Sequence, residues 1–411
     1  MLEFEKFTLD NGLKIIVCPD NTTELVTVNV LYDIGAKDEK SSMTGFAHLF
    51  EHLMFGGSVN IPDYDTPLQM AGGENNAFTN NDYTNYYLTL PAINIETAFW
   101  LESDRMLSLA FTPESLEVQR KVVIEEFKQN YINQPYGDVS HLLRALTYKK
   151  HPYRWPTIGL DVSHIEKATL QNVKDFFFSH YAPNNAILTV VGNVDLKTVK
   201  QLAEKWFAPI PARDIAPRNL PQEPPQTQER RQVVERSVPA DRLYMAYHMS
   251  DRLSDEFYIA DVISDLLSNG NSSRLYQHLV QENPLFSSLD AYISGSIDAG
   301  LFHISGTLSN GVSLEEAEKA VEAEITAFSA SDISDAELEK VHNIYETNFS
   351  FSNYTLGNRA FNLSLFELLG DANLINDEIN RYRSVSKQAI KETAEKLFSA
   401  SNRSVLYYRA K

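Results

Sequence analysis

Residues 45–56 read Gly-Phe-Ala-His-Leu-Phe-Glu-His-Leu-Met-Phe-Gly and predict a short helix with chemistry on one side. On a helix, His48 and His52 lie four positions apart, so both imidazoles leave the same face one turn apart. Two nitrogens that converge on one point are what a tetrahedral zinc site needs. Glu51 projects beside that point, where its carboxylate can take a proton from an attacking water.

The simpler alternative is a solvated helix that carries two histidines by chance. The other positions of this stretch are mostly apolar, which argues against it. Three polar side chains on an otherwise apolar helix are costly to bury unless something compensates, and a divalent cation does so. The order H-x-x-E-H is the inverted form of the H-E-x-x-H zinc motif. A motif this short also arises by chance, so further ligands have to be found.

A peptidase zinc site takes a third protein ligand and leaves one position to water. The candidates are Glu125 and Glu126, in a helix-like run that begins near residue 113. Neighbouring helix residues are rotated by about 100° from one another. Glu126 shares a face with Val122 and Val123, which we expect to face the core, whereas Glu125 points to solvent. We therefore predict Glu126 as the third ligand.

A proline-rich, polar stretch marks the clearest boundary. It begins near Pro209 and reads Asn-Leu-Pro-Gln-Glu-Pro-Pro-Gln-Thr-Gln over residues 219–228. Such a segment cannot hold a helix and is typical of an extended linker. We predict a zinc-bearing domain over residues 1–212, a linker over 213–230 and a second domain over 231–411.

The two halves look like distant copies of each other. Residues 46–57 align by apolar pattern with residues 259–270, and a strand-like run precedes each. Asp261, Ser264 and Asp265 then stand where the first half has its motif residues, so we expect no metal site there. Strands and helices mix without strict alternation in both halves. This predicts an α+β fold of two helix-on-sheet sandwiches related by internal duplication.

The bulk properties exclude several classes of function. A net charge of −19 argues against a nucleic-acid partner. No apolar run approaches the roughly 20 residues that cross a bilayer, so no membrane partner is expected. The N-terminus lacks the features of a signal peptide, which predicts a cytoplasmic protein, or a periplasmic one if the sequence is already processed. Cys18 is the sole cysteine, so it forms no internal disulfide.

Taken together, these residues resemble the inverzincin superfamily of pitrilysin, insulin-degrading enzyme and mitochondrial processing peptidase. The resemblance covers nearly the whole chain and is far more specific than the zinc motif alone. Its landmarks are the runs Leu9–Val17, His48–Ser58, Gly72–Thr79, Arg120–Glu126, His151–Gly159 and Tyr181–Gly192.

The resemblance implies a short, two-domain chain that forms half of a clam-shell chamber and hydrolyses peptides or unfolded polypeptides. It implies that Zn²⁺ is held by His48, His52 and Glu126. It also implies that Asn76 and Ala77 lie on an edge strand that pairs with the substrate backbone. Without the family, an ordinary strand and turn would be the simpler interpretation of residues 76 and 77.

Two departures from the family pattern affect the predicted function. An outer-shell glutamate usually precedes the third ligand by seven residues, and Gln119 stands there, which can accept a hydrogen bond but brings no charge. Family members also carry an arginine and a tyrosine in the C-terminal half that stabilise the oxyanion. Here those positions are Val280 and Ser287, and Arg274 and Tyr276 are out of register with them.

We therefore predict a zinc metalloendopeptidase that is the zinc-bearing subunit of a heterodimer, with a homologous partner supplying the arginine and tyrosine. Two alternatives stay open. One is a non-catalytic scaffold or assembly subunit of the same fold, which is characteristic of relatives with decayed metal motifs. The other is an active homodimer that functions without the Arg–Tyr pair.

Overall fold

The computed structural model describes residues 1–411 and contains eleven strands and fifteen helices. The strands are β1 Glu5–Thr8, β2 Lys14–Pro19, β3 Leu25–Tyr32, β4 Glu74–Thr79, β5 Thr84–Pro91, β6 Ala186–Gly192, β7 Arg230–Arg236, β8 Arg242–His248, β9 Phe286–Ile293, β10 Leu301–Leu308 and β11 Arg403–Ala410.

The helices vary from single turns to five-turn rods. They are α1 Phe46–Leu53, α2 Asp65–Met70, α3 Ile95–Leu107, α4 Pro113–Phe127, α5 Val139–Thr147, α6 Val162–Glu166, α7 Leu170–His180, α8 Leu196–Trp206, α9 Asp255–Ser268, α10 Arg274–Tyr276, α11 Leu314–Ala330, α12 Asp335–Ser352, α13 Leu356–Leu368, α14 Glu378–Arg383 and α15 Lys387–Leu397. Two π-helical segments, Lys128–Ile132 and Gln277–Glu282, extend α4 and α10.

The strands form two separate sheets. The first has the order β1-β2-β6-β3-β5-β4 and the second the order β7-β11-β8-β10-β9. In both sheets the strand that closes the repeat, β6 or β11, pairs antiparallel with a central strand and parallel with a neighbour on its other side. The shared strand pattern supports the predicted duplication.

The chain divides into two compact units, and neither is continuous in sequence. The first unit comprises residues 1–130, 155–221 and 350–376. The second comprises residues 131–154, 222–349 and 377–411. The predicted boundaries of 1–212, 213–230 and 231–411 follow the chain in order, whereas each unit takes one segment from the other half. The physical reason is that each sheet has an outer face that needs a cover.

In the first unit, α13 covers the outer face of the sheet through a buried polar layer. The Asn29 and Asn85 side chains exchange hydrogen bonds of 2.9 Å across β3 and β5. The Ser364 hydroxyl lies 3.0 Å from the Asn29 amide and 2.8 Å from the Thr189 hydroxyl. Every member of this layer has a partner, which is what permits polar groups to be buried.

In the second unit, α5 covers the corresponding face through apolar and aromatic contacts. Leu143 of α5 and Tyr148 at its end pack with a group of sheet residues that are all buried: Tyr244, Ala246, Leu301, Leu406 and Tyr408. The cover is therefore held by burial of apolar surface, at about 25 cal/mol per Å².

The opposite face of each sheet carries the main helices and the larger core. In the first unit Phe50 of α1 stacks on Phe176 and Tyr181, with ring centroids 5.0 and 5.2 Å apart. In the second unit α9, α11 and α15 bury one continuous apolar cluster against β8 and β10. The predicted α+β fold with two similar helix-on-sheet units is confirmed.

None of the helices combines the length and the apolar character needed to cross a bilayer.

Candidate metal centre

The centre begins with α1, whose two faces differ in chemistry. Its buried face consists of Phe46, Ala47, Leu49, Phe50 and Leu53. The motif residues occupy the other face, where the His48 and His52 side chains keep about a fifth of their surface exposed. The apolar face fixes the rotation of this eight-residue helix. The imidazoles are therefore directed outward by packing rather than by each other.

The second element is α4, which starts with a defined cap. The Thr112 hydroxyl accepts the Ser115 N–H, and Pro113 occupies the first helical position, where its missing N–H is not needed. α4 is fifteen residues long, which places Glu126 in its last turn. Glu125 is 71% exposed and pairs with Lys128, whereas Glu126 turns toward the histidines.

The prediction that Val122 and Val123 both face the core is wrong for Val122. Val123 is buried as expected, but Val122 is 39% exposed. Val122 lies one turn before Glu126, and both therefore project from α4 on the side where the histidines stand open to solvent. The side of α4 that bears Glu126 is consequently the border of the core rather than its centre.

Three ligand atoms meet at one point. Glu126 Oε2 lies 3.4 Å from His48 Nε2 and 3.5 Å from His52 Nε2. One ligand atom from each residue lies within 4.8 Å of those of the other two, and no other group of three such residues in the chain does so. The two imidazole rings are perpendicular, with centroids 4.9 Å apart.

This donor set fits a zinc ion. Ligands held at about 2.0–2.1 Å in a tetrahedron are separated from one another by about 3.3–3.5 Å. The two Glu126–histidine separations fall at that spacing. Two imidazoles and one carboxylate are also a ligand combination found in zinc peptidases, which leave the fourth position open.

The electrostatics favour the ligand forms of these groups. Burial, together with a smaller effect of the neighbouring His52, lowers the pKa of His48 to about 4, so His48 is neutral at pH 7. Burial raises the pKa of Glu51, while the neighbouring Thr79 and His52 partly offset this effect. A carboxylate with a raised pKa is better matched to accepting and returning a proton near neutral pH.

The outer shell of the centre is sparse. His48 Nδ1 is buried and has no hydrogen-bond partner, so Gln119 does not hold it. Metal-binding histidines usually donate this proton to a carboxylate or carbonyl, which fixes the ring. The orientation of the His48 ring has to come from the backbone of α1 instead.

The strand beside the centre lies at the edge of its sheet. β4 pairs with β5 on one side only, with Asn76 opposite Tyr87 and Ala77 opposite Tyr86. The N–H of Ala77 donates to the Asn76 side chain at 2.8 Å. An unpaired edge of this kind can accept another extended chain.

Comparison with sequence families gives two matches that together span most of the chain. Residues 14–160 match the model described as "Insulinase (Peptidase family M16)". Residues 167–345 match the model described as "Peptidase M16 inactive domain". The zinc protease PqqE of Helicobacter pylori is 30% identical over 343 residues, which are 82% of this chain and 77% of that protein. The chain belongs to the M16 peptidase family.

Further relatives and solved structures match over more of the chain at lower identity. The uncharacterized zinc protease YmxG of Bacillus subtilis is 23% identical over 96% of both chains. The crystal structure of a protease from Helicobacter pylori superposes with a TM-score of 0.92 and 26% identity, covering all of both chains. A solved peptidase M16 inactive domain from Pseudomonas fluorescens has 15% identity and a TM-score of 0.90, which shows the shared fold.

In the second unit of this M16 chain, the two positions that depart from the family pattern offer no free donor. Val280 lies in the π-helical segment after α10 and packs against the apolar core. Ser287 lies on β9, and its hydroxyl donates to the carbonyl of Thr307 at 3.2 Å. Neither side chain can replace an arginine or a tyrosine in stabilising an oxyanion.

A buried arginine that the sequence reasoning missed supports the end of α1. Arg105 binds Glu102 through both ends of the carboxylate, and both side chains are buried. Its guanidinium lies 5.2 Å from the Phe55 ring centroid and 4.5 Å from that of Tyr86. The signal in the sequence was a Glu-x-x-Arg pair inside the apolar face of α3.

Proposed function

We propose that this M16 chain is a zinc metalloendopeptidase whose metal is held by His48, His52 and Glu126. The observation that carries the proposal is the convergence of these three ligand atoms, with Glu126 Oε2 at 3.4 and 3.5 Å from the two imidazole nitrogens. Several relatives, such as the PqqE and YmxG proteins, bear the name zinc protease, which supports the same cofactor.

Glu51 is the general base in this proposal. When bound, zinc supplies Lewis-acid chemistry that makes water a nucleophile near neutral pH and polarises a carbonyl. Glu51 belongs to the same helical face as the two histidines, so its carboxylate accepts the proton of the attacking water. It then passes that proton to the leaving amine, which completes hydrolysis of the peptide bond.

The substrate is an extended peptide or an unfolded polypeptide. Its backbone adds to the free edge of β4 at Asn76 and Ala77, and main-chain hydrogen bonds give affinity with little dependence on sequence. Thr79, on the same strand, lies beside Glu51. A peptide paired with β4 is thereby led toward the proposed base. By family resemblance, hydrolysis takes place inside a closed chamber.

The proposed active form is a heterodimer in which this chain brings zinc. Val280 and Ser287 stand where the family carries the arginine and tyrosine, and both are engaged within their own unit. A homologous partner would supply that pair. A solved protein named as a peptidase M16 inactive domain shares the fold of this chain, which supports a partner of the same fold.

The decisive experiment replaces Glu51 with glutamine, which keeps the size of the side chain but removes the base. We expect peptide turnover to fall by about 10³-fold or more, in line with the loss of a proton-transfer group. Zinc content, measured by native mass spectrometry, should stay at one ion per chain. The matched control is Glu125→Gln, because Glu125 is exposed and turned away from the centre. Unchanged turnover in Glu51→Gln would refute the assignment of the base.

The partner is tested separately. Native mass spectrometry of the complex purified from its own cells should show this chain with a second, different M16 chain. Activity against a fluorogenic peptide should rise when the two are mixed. Full activity of the isolated chain would instead identify an active homodimer or monomer and overturn the heterodimer.

A further inference from the structure

The start of α1 differs from the starts of the longer helices. Its N-cap is Gly45, which has no side chain and adopts a φ of +87°. Most of the other long helices begin with a hydroxyl or carboxylate that accepts their own first-turn N–H: Thr112, Thr169, Asp195, Ser254, Ser313, Thr355 and Ser386. The first N–H groups of a helix need an acceptor when they are buried.

Glu39 supplies that acceptor from six residues before the cap. Its Oε2 accepts the N–H of Gly45 at 2.9 Å, and its Oε1 accepts the N–H of Ala47 at 2.8 Å. The side chain is 7% exposed, so both bonds are shielded from water. Burial raises the pKa of Glu39 to about 8, and the hydrogen bonds from the N–H groups of Ala47 and Gly45 oppose this effect.

The equivalent helix of the second repeat is capped by the side chain of its own N-cap residue. α9 begins at Asp255, one turn before Ile259, the residue that aligns with Phe46. Its own Ser254 hydroxyl accepts the N–H of Glu256. α1 lacks this first turn, and the carboxylate of Glu39 takes its place.

The residues around Gly45 prevent position 45 or the adjacent Thr44 from capping α1 with a side chain. A side chain at Gly45 would approach the carbonyl oxygen of Ile158 to 2.7 Å, so the position has to be glycine. The preceding Thr44 hydroxyl lies 2.8 Å from His164 Nδ1 and accepts the N–H of Leu160 at 2.8 Å. The cap therefore has to come from a residue outside the helix.

We propose that Glu39 is a positioning residue for the metal centre: it fixes the first turn of α1 and through that turn the direction of His48. His48 is the third residue of the eight-residue α1, and its Nδ1 has no partner to orient the ring. A helix this short is marginal without its cap. The inference rests on the proposed function where zinc is concerned, but the role of the carboxylate in the helix stands on its own hydrogen bonds.

The test uses the full chain and the variants Glu39→Ala and Glu39→Gln, with Glu125→Gln as the control. In the metal-free protein, hydrogen exchange at the amides of Gly45 and Ala47 should be at least tenfold faster in Glu39→Ala. In Glu39→Gln only one of the two amides should lose protection, because an amide side chain has a single acceptor oxygen. Should the alanine variant not fold, the glutamine variant carries the test.

Zinc affinity is then measured by competition with a chromogenic chelator. Both variants should bind zinc about 10- to 100-fold more weakly, as is typical when a supporting partner of a metal ligand is lost. If exchange is faster in the Glu39 variants but the unmodified chain binds no zinc, the capping role of Glu39 stands and the proposed function is rejected. Unchanged exchange at both amides, with unchanged zinc affinity, would overturn the role of Glu39.

Discussion

The helices α1 and α9 occupy the same place in the two repeats but use their polar side chains in opposite ways. In α1, His48 and His52 converge with a carboxylate and keep one side open. In α9, Asp261 stands at the position of His48, is half-buried, and accepts a 2.5 Å hydrogen bond from the Tyr382 hydroxyl.

The surroundings of Asp261 extend this contrast. Tyr382 stacks on Tyr345 with ring centroids 3.4 Å apart. Tyr345 in turn donates to Glu378, which also binds Arg252. The polar groups of this network, unlike those of the metal centre, are bound to one another. The comparison teaches that a duplicated helix keeps a ligand site only where its polar atoms lack partners within the protein.

The strongest way to break the comparison is to remove the ligand from α4. Glu126→Ala should weaken zinc binding by at least 100-fold, since only two protein ligands would remain. Glu125→Ala should leave it unchanged, because this neighbour pairs with Lys128. Isothermal titration of the metal-free chain with zinc measures both. Equal losses in the two variants would show that α4 contributes charge rather than a ligand.

A smaller effect is expected from the tyrosine of the second repeat. Tyr382→Phe removes the donor to the half-buried Asp261 carboxylate, and loss of a partner for an acceptor shielded from water costs about 1–3 kcal/mol. Hydrogen exchange should show this destabilisation in α9 and not in α1. Zinc content should not change. A loss of zinc would mean that the polar network around Asp261 supports the metal centre and that the two helices do not differ as described.

The smallest effect is a change of stability with pH, and this change has opposite signs in the two repeats. Burial lowers the pKa of His48 to about 4, below its unfolded value. Acidification of the metal-free protein from pH 7 to pH 5 therefore destabilises the first unit, because the unfolded chain takes up the proton more readily. Burial raises the pKa of Asp261 to about 6, so its contribution strengthens over the same range and is lost as the pH rises through 6.

Each contribution amounts to about 1–2 kcal/mol. Exchange of the amides in α1 and α9, corrected for the intrinsic pH dependence of exchange, measures the two separately. The variant Asp261→Asn is the control: it should abolish the trend in α9 and leave that in α1. Parallel trends in both helices would contradict the assignment to these two residues.

The sequence was sufficient to predict the parts of the centre that depend on local geometry. His48, Glu51 and His52 follow from helical spacing, and Glu126 follows from its rotation relative to Glu125. Val122, which was predicted to face the core on the same side as Glu126, is exposed. Whether a helix face meets the core or only its border depends on the neighbouring elements, which a single helix does not reveal.

Long-range contacts account for what the sequence did not predict. The exchange of segments 131–154 and 350–376 leaves no local pattern, since α5 and α13 are ordinary amphipathic helices until their partner sheets are known. In the sequence, Glu39 looks like a solvated loop residue, because its hydrogen-bond partners, Gly45 and Ala47, lie six and eight residues further along the chain. Such roles depend on how the loop closes.

The exchange of cover helices also affects the order in which the protein can mature on the ribosome. The first unit, which carries the whole metal centre, includes residues up to 376 and therefore stays incomplete until nearly the entire chain has been synthesised. Until α13 emerges, the layer of Asn29, Asn85 and Thr189 stays uncovered and wet. Translation thus ties completion of the unit that contains His48, His52 and Glu126 to synthesis of the half that lacks the motif. A nascent chain released early would carry the motif residues without the finished sheet that supports them.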